Sequence, residues 1–371
     1  MRLDNNQQAF FALVKAGLWE REVRLSEYED IDFSEVYRLA EEQSVIGLVA
    51  AGLEHVTDIK IPKSIILTFI GNTLQQEQRN QAMNEFVAKI ITSLREEGIY
   101  TLLVKGQGLA QCYERPLWRT SGDVDLLLSD DNYEKTKKLL IPIATNVETE
   151  YTHFKHQGMT IDGWKVELHG TQHSRLSRRV DNMIDSVQAE IFTGGEVRYW
   201  QNDQTPVWLP SPDNDVILVF THILHHFFFE GIGLRQLCDW CRLMWTYRDA
   251  IDIKRLDDRL KKTGIMSEWR AFAAFAIEYL EMPVEAMPLY SEDKCWKKKA
   301  ARIRDFVLEV GNFGHNQRRD YSGQPYLVRK FNSFWGRLHD MLRHFSIFPK
   351  DSIVFFGGVL RSGLYAVVRG E

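Results

Sequence analysis

The chain predicts an α+β fold in which a core of short strands lies between two helical regions. Three observations carry that prediction. Apolar residues recur at helical spacing through the first ninety-odd positions. Short apolar runs then alternate with helical stretches from about residue 99 to 210. After Pro210-Ser211-Pro212 the pattern turns helical again and stays so to the end. The boundaries are drawn at 1–97, 98–210 and 211–371, two or three units for a chain of 371 residues.

Within the first region, Leu13, Ala16, Gly17 and Trp19 mark one helix, and Val36, Leu39 and Ala40 a second that Ser34 can cap. Pro62 opens a long helix from Lys63 to Glu97, and Gly98 ends it. Its middle is polar (Gln75, Gln76, Gln78, Asn80, Gln81), the pattern of a solvated face or of a helix crossing a cleft. Next comes the β-rich run Ile99 to Val104, which ends in Lys105-Gly106, with one or two helical turns from Gln107 to Tyr113. Asp130 or Asp131 caps a helix through Leu140. Runs at Tyr151–Lys155, Gly158–Ile161 and Trp164–His169 form an antiparallel meander turning at Asp162-Gly163, and Val207–Leu209 adds a last strand. Asp213–Glu230 and Leu234–Tyr247 are helical. The apolar stretch Ile353–Val368 is interrupted by Gly357, Gly358, Arg361 and Gly363, too short to span a bilayer, and is read as core.

The most informative run is Gly122-Asp123-Val124-Asp125-Leu126-Leu127-Leu128. Side chains alternate along a strand, so Asp123 and Asp125 share one face while Val124 enters the core. Two adjacent carboxylates repel, and a divalent ion such as Mg²⁺ or Mn²⁺ is the economical neutraliser. The alternative is an edge strand with both acids in water. A third acid lies in Trp164–His169, where Lys165, Glu167 and His169 share a face. A third carboxylate completes a two-metal site and takes the proton of an attacking hydroxyl. A glycine beside the metal, Gly106, admits a polyphosphate to the backbone, and Lys105 and Arg119 are candidate counter-charges.

Taken together, Lys105-Gly106, Arg119, Gly122-Asp123-Val124-Asp125 and Val166-Glu167-Leu168-His169 resemble the polymerase-β-type nucleotidyltransferases, and more narrowly a poorly characterised bacterial branch of them. The resemblance covers roughly residues 97–240. It implies a nucleotidyltransferase-like mixed-sheet core, Asp123, Asp125 and Glu167 as catalytic metal ligands, and nucleotide binding at Lys105, Gly106, Gln107, Arg119 and Gly122. One departure stands out: the usual loop has Gly-Ser or Gly-Gly where this chain has Gly106-Gln107. In the same branch the following helices close over the core, which makes His222 and Arg235 cleft candidates beside His169 of the strand. The implied reaction moves a nucleoside monophosphate from an NTP to a hydroxyl of a sugar, another small molecule, a protein or an RNA, releasing pyrophosphate. The alternatives are a nucleotide sensor without turnover, suggested by Gln107, and a helical interaction module with an incidental Asp-Val-Asp strand.

Other features narrow the field. Hydrophobic residues at 44% and charged residues at 26% fit a soluble globular protein, and the net charge of −5 argues against general nucleic-acid binding. The polar start, Met1 to Asn6, has no signal-peptide core behind it, and four cysteines make no disulfide framework, so the expected compartment is the cytoplasm, with no membrane partner. His222, His225 and His226 with Cys238 and Cys241 have the residue types of a zinc site, but two packed helices with buried cysteines account for the same spacing. Arg235 and Asp239 are one helical turn apart, the spacing of an ion pair. From Lys294 onward there are about 15 basic against about 6 acidic residues, opening with Lys297-Lys298-Lys299. That run is a solvated face or a surface for a polyanion. Walker A, Gly-x-Gly-x-x-Gly and Gly-x-Ser-x-Gly patterns are absent from the sequence.

Overall fold

A computed structural model describes residues 2–150, 155–312 and 342–354, together with Val328, Trp335 and Leu338. It is an α+β molecule with one mixed five-stranded sheet and flanking helices. The first region holds α1 (Asn5–Trp19), α2 (Phe33–Glu42), α3 (Ile46–Glu54) and α4 (Lys63–Glu96). Asp32, not Ser34, caps α2: its carboxylate accepts the Ser34 N–H, so Ser34 already lies inside the first turn.

The sheet is built from β1 (Thr101–Val104), β2 (Asp123–Leu128), β3 (Asn146–Val147), β4 (His156–Ile161) and β5 (Trp164–His169), in the order β1-β2-β5-β4-β3. Among the described strands of this sheet β2 and β5 run parallel and the other pairings are antiparallel. Two helices lie along this stretch, α5 (Gly106–Ala110) and α6 (Asp130–Leu140). The residue before α6 is Ser129, so Asp130 and Asp131 sit in the first turn, where their charge favours the helix dipole without capping it. Tyr151–Phe154 of the expected meander lie outside the described residues.

Beyond the sheet come α7 (Arg178–Phe192) and a hairpin of β6 (Val197–Asn202) and β7 (Thr205–Pro210), which forms its own two-stranded sheet. Five further helices follow: α8 (Pro212–Phe229), α9 (Leu234–Thr246), α10 (Ile253–Thr263), α11 (Met266–Leu280) and α12 (Lys294–Val310).

The two faces of the sheet have different neighbours. One packs Val124, Leu126, Leu128, Val166 and Leu168 against Met83, Phe86, Val87 and Ile90 on the rear half of α4. The opposite face carries the acids, and its apolar residues Leu102, Val104 and Leu127 join a larger core that takes in α1, α5, α8, α9 and α11. Helices from both ends of the chain share that core. Trp19 Nε1 donates to Leu280 O at 2.6 Å, and Arg242 Nη1 donates to Leu18 O at 3.1 Å. Among the described residues no helix is long and apolar enough to cross a membrane. Ile353 and Val354, expected in a core, are exposed, and the rest of that stretch lies outside the described residues.

Candidate active site

β2 is the second of five strands, flanked by β1 and β5, so the water-exposed edge reading of Asp-Val-Asp fails. In the parallel pairing Asp123 lies opposite Lys165 and Asp125 opposite Glu167. Register alone therefore puts all three acids on one face. Asp125 is only 4% exposed. Its Oδ1 lies 2.7 Å from His169 Nε2 and 3.5 Å from Lys105 Nζ. Glu167 Oε1 meets Lys165 Nζ at 2.5 Å, while its Oε2 lies 3.2 Å from His156 Nε2 and 3.8 Å from His169 Nε2. One imidazole nitrogen thus sits between the Asp125 and Glu167 carboxylates.

These acids do not share their counter-charge equally. Burial pushes Asp125 up, but Lys105 and His169 outweigh it and hold the carboxyl below its ordinary range. Burial likewise acts on Glu167, and His156 and Lys165 more than offset it, so its carboxyl also lies well below the usual range. Asp123 is left with the imbalance. Repulsion from Asp125, then burial, then Glu167 raise it to about 6, against a weaker pull from Lys105 and Arg235. Burial lowers the His169 imidazole, with Asp125 pulling the other way.

Lys105 sits on the turn from β1 into α5 with φ +58° and ψ −141°, a backbone conformation costly for any residue but glycine. Gly106 follows at φ +39°, where a Cβ would stand 3.4 Å from Asp123 O. At Gly122 a Cβ would meet nothing within 4 Å, so the chain's own packing does not demand glycine there.

Two expected nucleotide contacts have other partners. The Arg119 guanidinium grips Asp239 of α9 with both ends, Nε to Oδ1 at 2.8 Å and Nη2 to Oδ2 at 2.6 Å. Its Nη1 donates to Thr120 O and Ser121 Oγ, and Tyr113 Oη donates to Asp239 Oδ1 at 2.7 Å. Arg119 is therefore a buried clamp between the β2 approach and α9. Asp239, expected as the partner of Arg235, has both oxygens engaged in this clamp. Gln107 is turned the same way: it is buried, and its Nε2 donates to Asn80 Oδ1 at 3.1 Å. Asn80 in turn donates from Nδ2 to Leu117 O and Arg119 O. The polar middle of α4 thus anchors the loop beneath the site.

Both cleft candidates from the later helices come near it. Burial first, then the charges of Lys105 and His226, keep His222 well below the usual imidazole range, and His169 also contributes. Its Nε2 lies 3.0 Å from His226 Nε2. Arg235 Nη1 donates to Thr120 O at 3.0 Å, and its guanidinium acts on Asp123. Cys238 and Cys241 are free thiols in the core, and burial pushes both well up, which disfavours the thiolate that zinc needs. Among the described residues the group with metal-ligating geometry is a different one, His156, Glu167 and His169. His156 escaped the sequence reading. Its signal was the Asp162-Gly163 turn, whose register puts His156 directly opposite His169.

A cavity of about 590 Å³ lies apart from this site, between α7 and α10, lined by Arg179, Glu190, Arg255 and Arg259 among others. Glu190 pairs with both Arg255 and Arg259, so this cavity lacks the unbalanced acids of the sheet.

The donor set suits a hard divalent ion: carboxylate oxygens on one face, one of them under-compensated by the protein's own cations. The family profile described as uncharacterised nucleotidyltransferase matches residues 29–281. No curated protein matches the chain. Among solved structures, an antigenic nucleotidyltransferase-like protein from Paracoccidioides brasiliensis is similar over 50% of this chain and 90% of its own, at 13% identity and a TM-score of 0.31.

Proposed function

Starting from the uncharacterised nucleotidyltransferase family, to which this chain belongs, we propose that it transfers a nucleoside monophosphate from an NTP to a hydroxyl acceptor and releases pyrophosphate. The observation that carries the reading is the convergence of Asp123, Asp125 and Glu167 on one face, with Asp123 raised to about 6. A protein that spends stability to hold a carboxylate against its neighbours has a use for the charge.

Asp123 and Asp125 are the proposed ligands of Mg²⁺ or Mn²⁺, with Glu167 beside them. An ion bound there supplies charge neutralisation and alignment of the reacting phosphates. Gly106 lets the triphosphate approach the turn after β1. Lys105, held at a strained backbone position 3.5 Å from Asp125, offsets negative charge at the same edge. Arg235 joins Arg119 as an arginine acting on Asp123. Glu167, held down by His156 and Lys165, is a weak base, so its role is as ligand and positioner rather than as acceptor of the hydroxyl proton.

The test is incubation of the protein with each labelled NTP, Mg²⁺ or Mn²⁺ and a cell extract, in parallel with Asp123→Ala. Label covalently transferred by wild type and not by the variant is the expected result. Nucleotide binding without transfer in any extract would make the chain a sensor, the reading favoured by the burial of Gln107 against Asn80. Neither binding nor transfer would remove the nucleotide altogether.

A further inference from the structure

We propose that His156, Glu167 and His169 form a second cation site, one for a borderline divalent ion of the Zn²⁺ or Co²⁺ class, at the edge of the carboxylate face. The assignment goes beyond the nucleotidyl-transfer reading: it shares Glu167 with it but needs no nucleotide.

The hairpin builds the site. Asp162 and Gly163 turn the chain at φ +50° and +81°, the left-handed pair that a two-residue hairpin loop requires. The resulting antiparallel register sets His156 opposite His169 and Gly158 opposite Glu167. The two imidazoles stack, with centroids 4.8 Å apart and planes 18° from parallel. Opposite Glu167, Gly158 carries no side chain of its own, and the Glu148 carboxylate lies over it, where a Cβ would run into Glu148 Oε2.

The ligand atoms converge. Glu167 Oε2 is 3.2 Å from His156 Nε2 and 3.8 Å from His169 Nε2, and all three ligand atoms lie within 4.8 Å of one another. Bonds of about 2.0–2.1 Å in tetrahedral zinc put ligand atoms about 3.3 Å apart, so small side-chain rotations complete the set. Asp125 Oδ1, 2.7 Å from His169 Nε2, is a fourth donor atom at its border. Lys165 binds the other oxygen of Glu167 at 2.5 Å and so aims Oε2 at the imidazoles, the part an outer partner plays for a ligating carboxylate. All three ligating residues are partly exposed, which leaves an ion a way in.

Imidazole nitrogen separates this site from its neighbour. Mg²⁺ demands oxygen ligands, whereas a two-histidine, one-carboxylate set favours borderline ions. The face of the sheet therefore carries two adjoining cation positions of different taste, with Glu167 at their junction.

The probe is Co²⁺ added to the nucleotide-free full chain, read by its visible ligand-field absorption, in wild type, His156→Gln, His169→Gln and Asp123→Asn. Expected are one Co²⁺ held with nitrogen ligation in wild type, a loss of roughly 10- to 100-fold or more in affinity in each histidine variant, and retained binding in Asp123→Asn. Unchanged Co²⁺ affinity in His156→Gln overturns the proposal, as does loss confined to Asp123→Asn, which would put the ion on the carboxylates alone. Should a histidine variant fail to fold, pulsed electron paramagnetic resonance of Co²⁺-loaded wild type decides. Coupling to imidazole nitrogens supports the site, and its absence overturns it. Co²⁺ binding of the expected kind in a protein that transfers no nucleotide would refute the reaction and leave this site standing.

Discussion

Asp239 is a buried acid and Asp123 a half-buried one, both beside arginines, and the protein treats them in opposite ways. Asp239 is saturated: two guanidinium nitrogens of Arg119 and the hydroxyl of Tyr113 occupy its oxygens. Asp123 is starved: two other acids act on it, and Lys105 and Arg235 only partly answer them. Saturation is what a structural ion pair needs, because a charge taken from water must be repaired in full. Under-compensation costs stability, and it persists where an outside cation is meant to finish the job. The same local chemistry thus marks a joint in one place and a site in the other.

The sharpest way to break the comparison is to remove one acid from each group. Asp239→Asn leaves Arg119 buried with half its partner, and unfolding in urea should show a loss of about 3–5 kcal/mol. A loss below about 1 kcal/mol would mean that the clamp is solvated. Asp123→Asn should do the reverse. With the divalent ions chelated, the variant should gain up to about 3 kcal/mol at pH 7, the equivalent of a pKa raised from 3.8 to about 6. The sign follows from linkage. A raised carboxyl binds its proton more tightly in the folded state, so its contribution is intact below pH 3.8 and disappears as pH rises through about 6. The difference in stability between wild type and variant should therefore be absent near pH 3.5 and grow across that window. A flat difference would show that Asp123 feels no such repulsion.

Gly106→Ala probes the turn between the two regions. A left-handed φ of +39° costs alanine about 1–2 kcal/mol, so the variant should fold slightly less well. Its NTP affinity should fall by more than that, since the phosphates would meet the new methyl. Equal NTP binding by a folded variant would remove Gly106 from the site. The smallest effect is expected at the lysine run. Lys297 pairs with Glu278 at 2.6 Å, and Lys299 lies over the Trp296 and Phe348 rings. Changing Lys297, Lys298 and Lys299 together to Gln should leave the salt dependence of acceptor binding as it is in wild type. A shallower slope in the variant would show that these charges do reach an anionic ligand.

The acids on β2 and β5 were legible because strand alternation is a local rule: an unbroken apolar run with aspartates at i and i+2 has few other solutions. α4 was legible from its ends, Pro62 and Gly98. The Arg119–Asp239 clamp was not legible because its two residues lie 120 apart in the chain, and no spacing reveals a pairing of that range. The Gln107–Asn80 hydrogen bond was hidden in the same way, Asn80 lying on the preceding long helix. β6 escaped because Val197–Asn202 is mostly polar and half-exposed, so the hairpin shows itself only through β7, its apolar partner. His156 lay within reach, needing only the hairpin register to be counted back from Asp162-Gly163.

The central claim is that the under-compensated acid on β2 is there for a hard cation. Calorimetric titration of Mg²⁺ into wild type and Asp123→Asn, each saturated with a non-hydrolysable NTP analogue, tests it most directly. Mg²⁺ is the right ion because it discriminates against the imidazoles beside Glu167. The account predicts saturable Mg²⁺ binding by wild type and its loss in the variant. Equal Mg²⁺ binding by the two proteins would contradict it.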